Sequence, residues 1–433
     1  MIRKKRMGKG IAKILSGLLV FGMVAGLVPA VPGGTVNAKA TEINGQNATA
    51  EPHTHCVCGT GNLSVERHTH KEETWTGISK LSDINREGNY YLTQDVTLTS
   101  AWTCQRNVNL CLNGHSITRT AKEYYDQNGN NAVIIIKNNV DFTLTDCKGT
   151  GTITHKQGVS GEGVYNDGRF FMYNGIIFGN NGGVKNPGMF FMYGGTITSN
   201  TANNGGGVDN AGTFTMDGGT ITSNTANNGG GVYNDNAGRF IMYGGTITGN
   251  KAEQTYGTEY GGGVYNQGTF NMYGGEITNN TATVGGGGVF NKGTFTMSGG
   301  EITSNSSESY GGGVCYSSSQ LFKMSGTVNI TENKVGTTPN NLYLWNGQQV
   351  SASGLTSGAE IGVTTQIVPI NDSSVPITSD SVSVNCFFSD NSDYETAIDE
   401  NSKVVLKTKT AVEAPSITKQ PQPVSVKVGE TAT

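Results

Sequence analysis

The sequence predicts an all-β solenoid, a single-stranded parallel β-helix with one coil per repeat. Three observations carry that prediction. A phrase reading G-G-G-V-Y-N, then F-x-M-Y-G-G-x-I-T-x-N, starts at Gly205, Gly229, Gly261, Gly286 and Gly311, with degenerate copies around Gly161 and Gly182. Its anchoring valines, Val164, Val184, Val208, Val232, Val264, Val289 and Val314, step by 20, 24, 24, 32, 25 and 25 residues, and a period of about 20–50 residues marks a repeat architecture. Within each copy the apolar residues alternate. From Gly205 to Asn228, Val208 and Asn210 flank Asp209, Phe214 and Met216 flank Thr215, and Ile221 lies between Thr220 and Thr222.

Alternation of period two sends Val, Phe, Met and Ile to one side of a strand. Burying four such side chains falls far short of the entropy of ordering a whole unit. A unit is therefore stable only when stacked on others, with strand-to-strand hydrogen bonds and a continuous core. The composition agrees. Gly is 64 of 433 residues, 35% are hydrophobic and only 14% charged. The absence of a G-X-Y period excludes collagen. Low charge with regularly spaced apolar residues excludes a disordered chain.

Taken from the N-terminus, residues 1–40 read as a signal peptide. Arg3, Lys4, Lys5, Arg6, Lys9 and Lys13 precede an apolar run from Ile14 to Val31, and Ala38-Lys39-Ala40 gives the cleavage pattern. Secretion or wall association follows, with no membrane insertion after cleavage. The remainder carries 22 basic and 33 acidic residues, a net −11, which argues against nucleic acid. Seven Cys is an odd number with no regular spacing, so no disulfide framework is expected.

Residues 41–74 are rich in His and Cys. His53-Thr54-His55-Cys56-Val57-Cys58 and His68-Thr69-His70 hold four of the six histidines. Cys56, Cys58, His68 and His70 suit a tetrahedral structural zinc, although C-x-C is not the commoner C-x₂-C spacing. No other cofactor is indicated.

Residues 75–335 form the predicted β-helix. Tyr90-Tyr91-Leu92, Val108-Leu110-Leu112, Ile134-Ile136 and Phe142-Leu144 mark diverged leading coils, as terminal coils cap an open core. The G-G-G runs suit corners. Two Asn columns, Asn166, Asn186, Asn210, Asn234, Asn266, Asn291 and Asn200, Asn224, Asn250, Asn280, Asn305, suit hydrogen-bonded ladders at turns. Residues 336–410 read as closing coils or a small β appendage. In 411–433, Pro415, Pro421 and Pro423 form a stiff connector before Val424-Ser425-Val426-Lys427-Val428.

Ile197-Thr198-Ser199-Asn200-Thr201-Ala202 followed by Gly205-Gly206-Gly207-Val208 resembles the repeat of polymorphic outer-membrane proteins and related β-helix surface proteins, over about residues 160–335. The resemblance implies a right-handed coil, a pectin-lyase-like solenoid, and a bacterial surface adhesin. The Gly/Ala/Thr-rich exterior is more similar to secreted β-helix proteins of Gram-positive gut bacteria, since no outer-membrane barrel pattern is seen. Residues 424–430 resemble the first strand of a bacterial immunoglobulin-like domain, cut short.

The expected function is a monomeric binding stalk for a glycan or a host or cell-surface protein. Two outward aromatic columns are the candidate ligand-binding residues: Tyr165, Tyr233, Tyr265 and Phe290, then Tyr173, Tyr193, Tyr243 and Tyr273. Tyr256 and Tyr260 join them from the insertion at 251–260, because insertions on one edge of a solenoid mark its binding side. The paired Glu276 and Glu301 read as a solvated pair. A polysaccharide lyase or glycoside hydrolase is the alternative, but Arg169, Lys185, Arg239, Lys251 and Lys292 look scattered, no close Asp motifs appear, and His115 and His155 precede the repeats. No catalytic residue is assigned. A plain spacer is the third reading.

Overall fold

The computed structural model describes residues 53–56, 72–121, 131–253, 260–371, 373–382, 385–409 and 427–429. They form a parallel β-helix. One full coil contributes four strands, for example Val208–Asn210, Thr213–Met216, Thr220–Thr222 and Thr225–Asn228. Each strand pairs in parallel and in register with its equivalents one coil away. Val208 lies between Val184 and Val232, Phe214 between Phe190 and Phe240, and Ile221 between Ile197 and Ile247.

Register is set by what each column buries. The repeat valines, phenylalanines, methionines and isoleucines are at most 1% exposed from Val164 to Val314. The phenylalanines from Phe170 to Phe322 stack face to face at 4.4–4.8 Å, within 10° of parallel. A slip of one residue would turn every one of these side chains to solvent.

Both Asn columns lie inside, 0–1% exposed, and their amides form ladders. Asn166, Asn186, Asn210, Asn234 and Asn266 each donate Nδ2 to the next Oδ1, ending on Asn291, at 2.6–2.7 Å. The second ladder begins at Asn180 and runs beyond Asn305 to Asn333 and Asn341. Each member there donates both its backbone N–H and its Nδ2 to the following Oδ1. All its dipoles point one way. The donor end meets the Asp390 carboxylate, which accepts from Asn341 N and Nδ2 at 2.7 and 2.6 Å. The acceptor end meets His155 Nδ1, 2.9 Å from Asn180 Oδ1. Meeting both ends of the second ladder spares it the cost of unpaired buried amides; at the start of the first ladder the Asn166 Oδ1 has no partner.

The fourth strand corrects the sequence expectation. The T-A-N-N segments and their equivalents, outside the three alternating runs of each copy, form strands that stack into a seven-stranded sheet from Thr201–Asn204 to Thr338–Pro339. Their inward residues are small, with Ala226, Ala252 and Ala282 at 0–3% exposure. At most one alanine per strand gives too little apolar alternation to be seen in the sequence.

The G-G-G corners have two separate causes. Gly205 has φ +59°, in the left-handed region. Gly206 and Gly207 face the next coil, where an added Cβ would sit 2.6 Å from the carbonyl oxygens of Gly230 and Gly231.

At the C-terminal side, Glu360–Thr365 pairs with both Val328–Thr331 and Leu342–Leu344, joining two columns that the coils keep apart. An antiparallel sheet of Ser374–Pro376, Val404–Thr408 and Tyr394–Ile398 follows.

Candidate functional site

The first tyrosine column is interrupted. In register, it reads Tyr165, Lys185, Asp209, Tyr233, Tyr265, Phe290, Cys315 and Tyr343. Its two ends behave differently. From Tyr233 onward the rings stack, Tyr233 on Tyr265 at 5.2 Å and Tyr265 on Phe290 at 5.4 Å. Tyr260 then covers Phe290 at 4.2 Å, and the Lys292 ammonium lies 5.6–5.9 Å from the rings of Tyr260, Tyr265 and Phe290.

This corrects the expectation of an outward, ligand-facing Tyr265. It is 5% and Phe290 4% exposed, in a cluster with Cys315 and Tyr343 outside the main core. The side chains of Tyr260 and Tyr310 pack against this cluster. Tyr233 is half-buried, donates its hydroxyl to Gln267 Oε1 at 2.9 Å, and burial pushes its phenol up to about 12. Tyr165 stands at the other, open end.

The second column splits into two pairs, Tyr173 on Tyr193 at 4.9 Å and Tyr243 on Tyr273 at 5.1 Å. Asp217 occupies the level between them, its N–H bonded to the Met192 carbonyl one coil away. Tyr243 and Tyr273 are exposed. Tyr256 lies outside the described residues, as do Cys58, His68 and His70. Cys56 lies in a strand, His53–Cys56, whose backbone pairs antiparallel with residues 72–75. Among the described residues, no group of three or more His, Cys, Asp or Glu could hold a metal ion.

What the sequence missed lies at the open end. A cavity of about 480 Å³ is lined by Glu162, Asn181, Gly182, Val184, Lys185, Ala202, Asn203, Asn204, Gly205 and Asp209. Its origin is the 20-residue step. The coil from Val164 to Val184 lacks a T-A-N-N strand, so the seven-stranded sheet begins only at Thr201–Asn204. The missing strand leaves a notch with the Thr201–Asn204 strand as one wall. It also gives Glu162 room in a G-E-G-V phrase, at a position where other copies carry Gly. A Cβ on Gly182 would lie 3.6 Å from Glu162 Cγ and 3.8 Å from Ala202 Cβ, so the notch spans those two side chains.

The notch is electrostatically incomplete. Glu162 is 8% exposed, and its Oε2 has no hydrogen-bond partner. Burial pushes its carboxyl up, opposed by the charges of Lys185 and Arg119. Burial likewise raises Asp209 to about 6; Lys185 opposes this, and Asp235 and Glu162 add to it. Lys185 acts on both carboxyls through its charge and not through a hydrogen bond. The site can accept hydroxyl or ammonium donors from a ligand, and burial raises the proton affinity of both its carboxyls.

The sequence signal for this site existed. Glu162, Lys185 and Asp209 are three departures from the repeat in consecutive copies: G-E-G-V for G-G-G-V, then V-K-N and V-D-N for V-Y-N. Lys185, read from the sequence as one of several scattered cations, is brought beside two carboxyls. Comparisons with protein-family models, curated proteins and solved structures return no match for the chain.

Proposed function

We propose that the chain is a secreted or wall-associated binding stalk that holds a glycan in the notch at Glu162, Lys185 and Asp209. The observation that supports this is the notch itself, a sugar-sized polar cavity whose buried Glu162 oxygen lacks a partner. Ligand cavities are commonly of this size, with a few convergent polar groups that fix orientation. Tyr165 and Tyr233 flank it along the same column, and aromatic faces suit sugar rings. The stacked Asn and Phe columns keep these walls rigid, so little ordering entropy is lost on binding.

A hydrolase is the second reading, favoured by one observation. Two carboxyls with raised proton affinity share a cavity, as an acid and base pair would. One experiment separates the readings. The full chain is incubated with neutral, acidic and amino-sugar oligosaccharides, and both bound ligand and new reducing or unsaturated ends are measured. Binding without new ends supports the stalk. New ends that disappear in Asp209→Asn establish the hydrolase. Neither binding nor turnover leaves the plain spacer.

A further inference from the structure

We propose that the notch binds the protonated amine of an amino sugar, with the ammonium held by the carboxyl groups of Glu162 and Asp209. The proposal rests on the glycan reading above and names the sugar class. The argument is one of charge and geometry. Two carboxyls and one ammonium, Lys185, line the same cavity. With both carboxyls ionised, the lining carries one net negative charge, and Arg119 and Asp235, which act on Glu162 and Asp209 through their charges, add one of each sign and leave that excess in place; a buried unpaired charge is costly.

In the empty notch a proton relieves that cost. A ligand ammonium relieves it better, because it also donates hydrogen bonds to the Glu162 oxygen that has no partner. A neutral sugar hydroxyl would satisfy the hydrogen bond and leave the charge. A divalent metal would want more oxygen ligands than two carboxyls supply, and its double charge would meet twice the repulsion from Lys185 that an ammonium meets. The side-chain amides of Asn181 and Asn203 face the ring hydroxyls, with Asn204, whose Oδ1 accepts from Asn228 Nδ2, offering its Nδ2, and the glycine backbone at Gly182 and Gly205 lets a ring approach closely.

The test is isothermal titration calorimetry of the full chain at about pH 6.5. The ligands are a β-1,4 glucosamine tetramer, its fully N-acetylated form, the glucose tetramer and tetralysine. The glucosamine tetramer should bind at least about tenfold more tightly than either neutral tetramer, a difference of about 1.4 kcal/mol. Glu162→Gln and Asp209→Asn should each lose about tenfold. Glu276→Gln, an exposed carboxylate on another column, should change nothing. Lys185→Ala should tighten amine binding several-fold, a gain that a misfolded variant cannot imitate. Equal affinity for the three sugar tetramers overturns the amine assignment and leaves the glycan reading standing. Tetralysine binding as tightly as the glucosamine tetramer overturns the sugar class. No binding by any of the four overturns the amine assignment and leaves the glycan reading to the acidic oligosaccharides of the experiment above.

Discussion

Asp209 and Glu162 cost the fold stability where they stand, and the sign of that cost is testable. A carboxyl whose proton affinity rises on folding binds protons more tightly in the native state. For Asp209, its stabilising contribution is full below the unfolded value near 3.8 and is lost as pH rises through about 6. Asp209→Asn should therefore raise stability by about 1–3 kcal/mol at pH 7.5 and by almost nothing at pH 4, read by thermal unfolding at both. Equal gains at both pH values would show that the carboxylate is not strained. Cysteines give a second residue-scale prediction. Burial pushes the thiols of Cys104, Cys111 and Cys315 up to about 12, so at pH 8 they should resist alkylation that reaches the exposed Cys147. Mass spectrometry of the alkylated chain would show the order.

Among the elements, the ladders and the glycine corners carry the strain limits. Asn224 accepts from Asn200 N and Nδ2 and donates to Ile197 O and Asn250 Oδ1. Asn224→Leu keeps the volume and strands buried donors and acceptors on both sides. It should cost about 3 kcal/mol or more, seen as a lower Tm. Gly231→Ala should do the same by a different route, because its Cβ would lie 2.6 Å from Gly263 O and 2.9 Å from Ile247 Cγ2. These losses follow from identical neighbours one coil away, so they should be similar at equivalent positions of any complete repeat. The notch obeys the same geometry. Replacing Asn181 by Thr-Ala-Asn-Asn-Gly, together with Glu162→Gly, restores a 24-residue step and supplies the missing strand. Circular dichroism should show β structure retained, and ligand binding at the notch should be lost.

In the described solenoid as a whole, the two ends of the second ladder need opposite partners. Its donor end is met by Asp390, which lies next to the final antiparallel strands. Asp390→Ala leaves Asn341 N and Nδ2 without their acceptors in the closing coils. Hydrogen exchange should then speed up around residues 333–365 first, while the central repeats around 208–302 keep their protection, since stability in a solenoid is a sum of neighbour terms. Uniform loss of protection would mean that the solenoid unfolds as one unit.

The repeat phrase by itself determined that this chain is a parallel β-helix. Val, Phe, Met and Ile at period two, repeated every 24 or 25 residues, can be buried only by stacking coils. The G-G-G corners and Asn columns were legible for the same reason, since each was constrained at every coil and therefore recurred. Three things were decided only by the tertiary structure. The T-A-N-N strand buries a single alanine, too weak a signal to read along the chain. Tyr265 and Phe290 alternate outward like the other aromatics, and only the packing of Tyr260 and Tyr310 against their cluster shows that they are covered. The notch arises from a missing strand and three odd letters, in positions 20 to 25 residues apart that become neighbours only once coils stack about 4.8 Å apart. A repeat sequence shows what every coil must share; a site made of exceptions becomes visible when the coils are laid on one another.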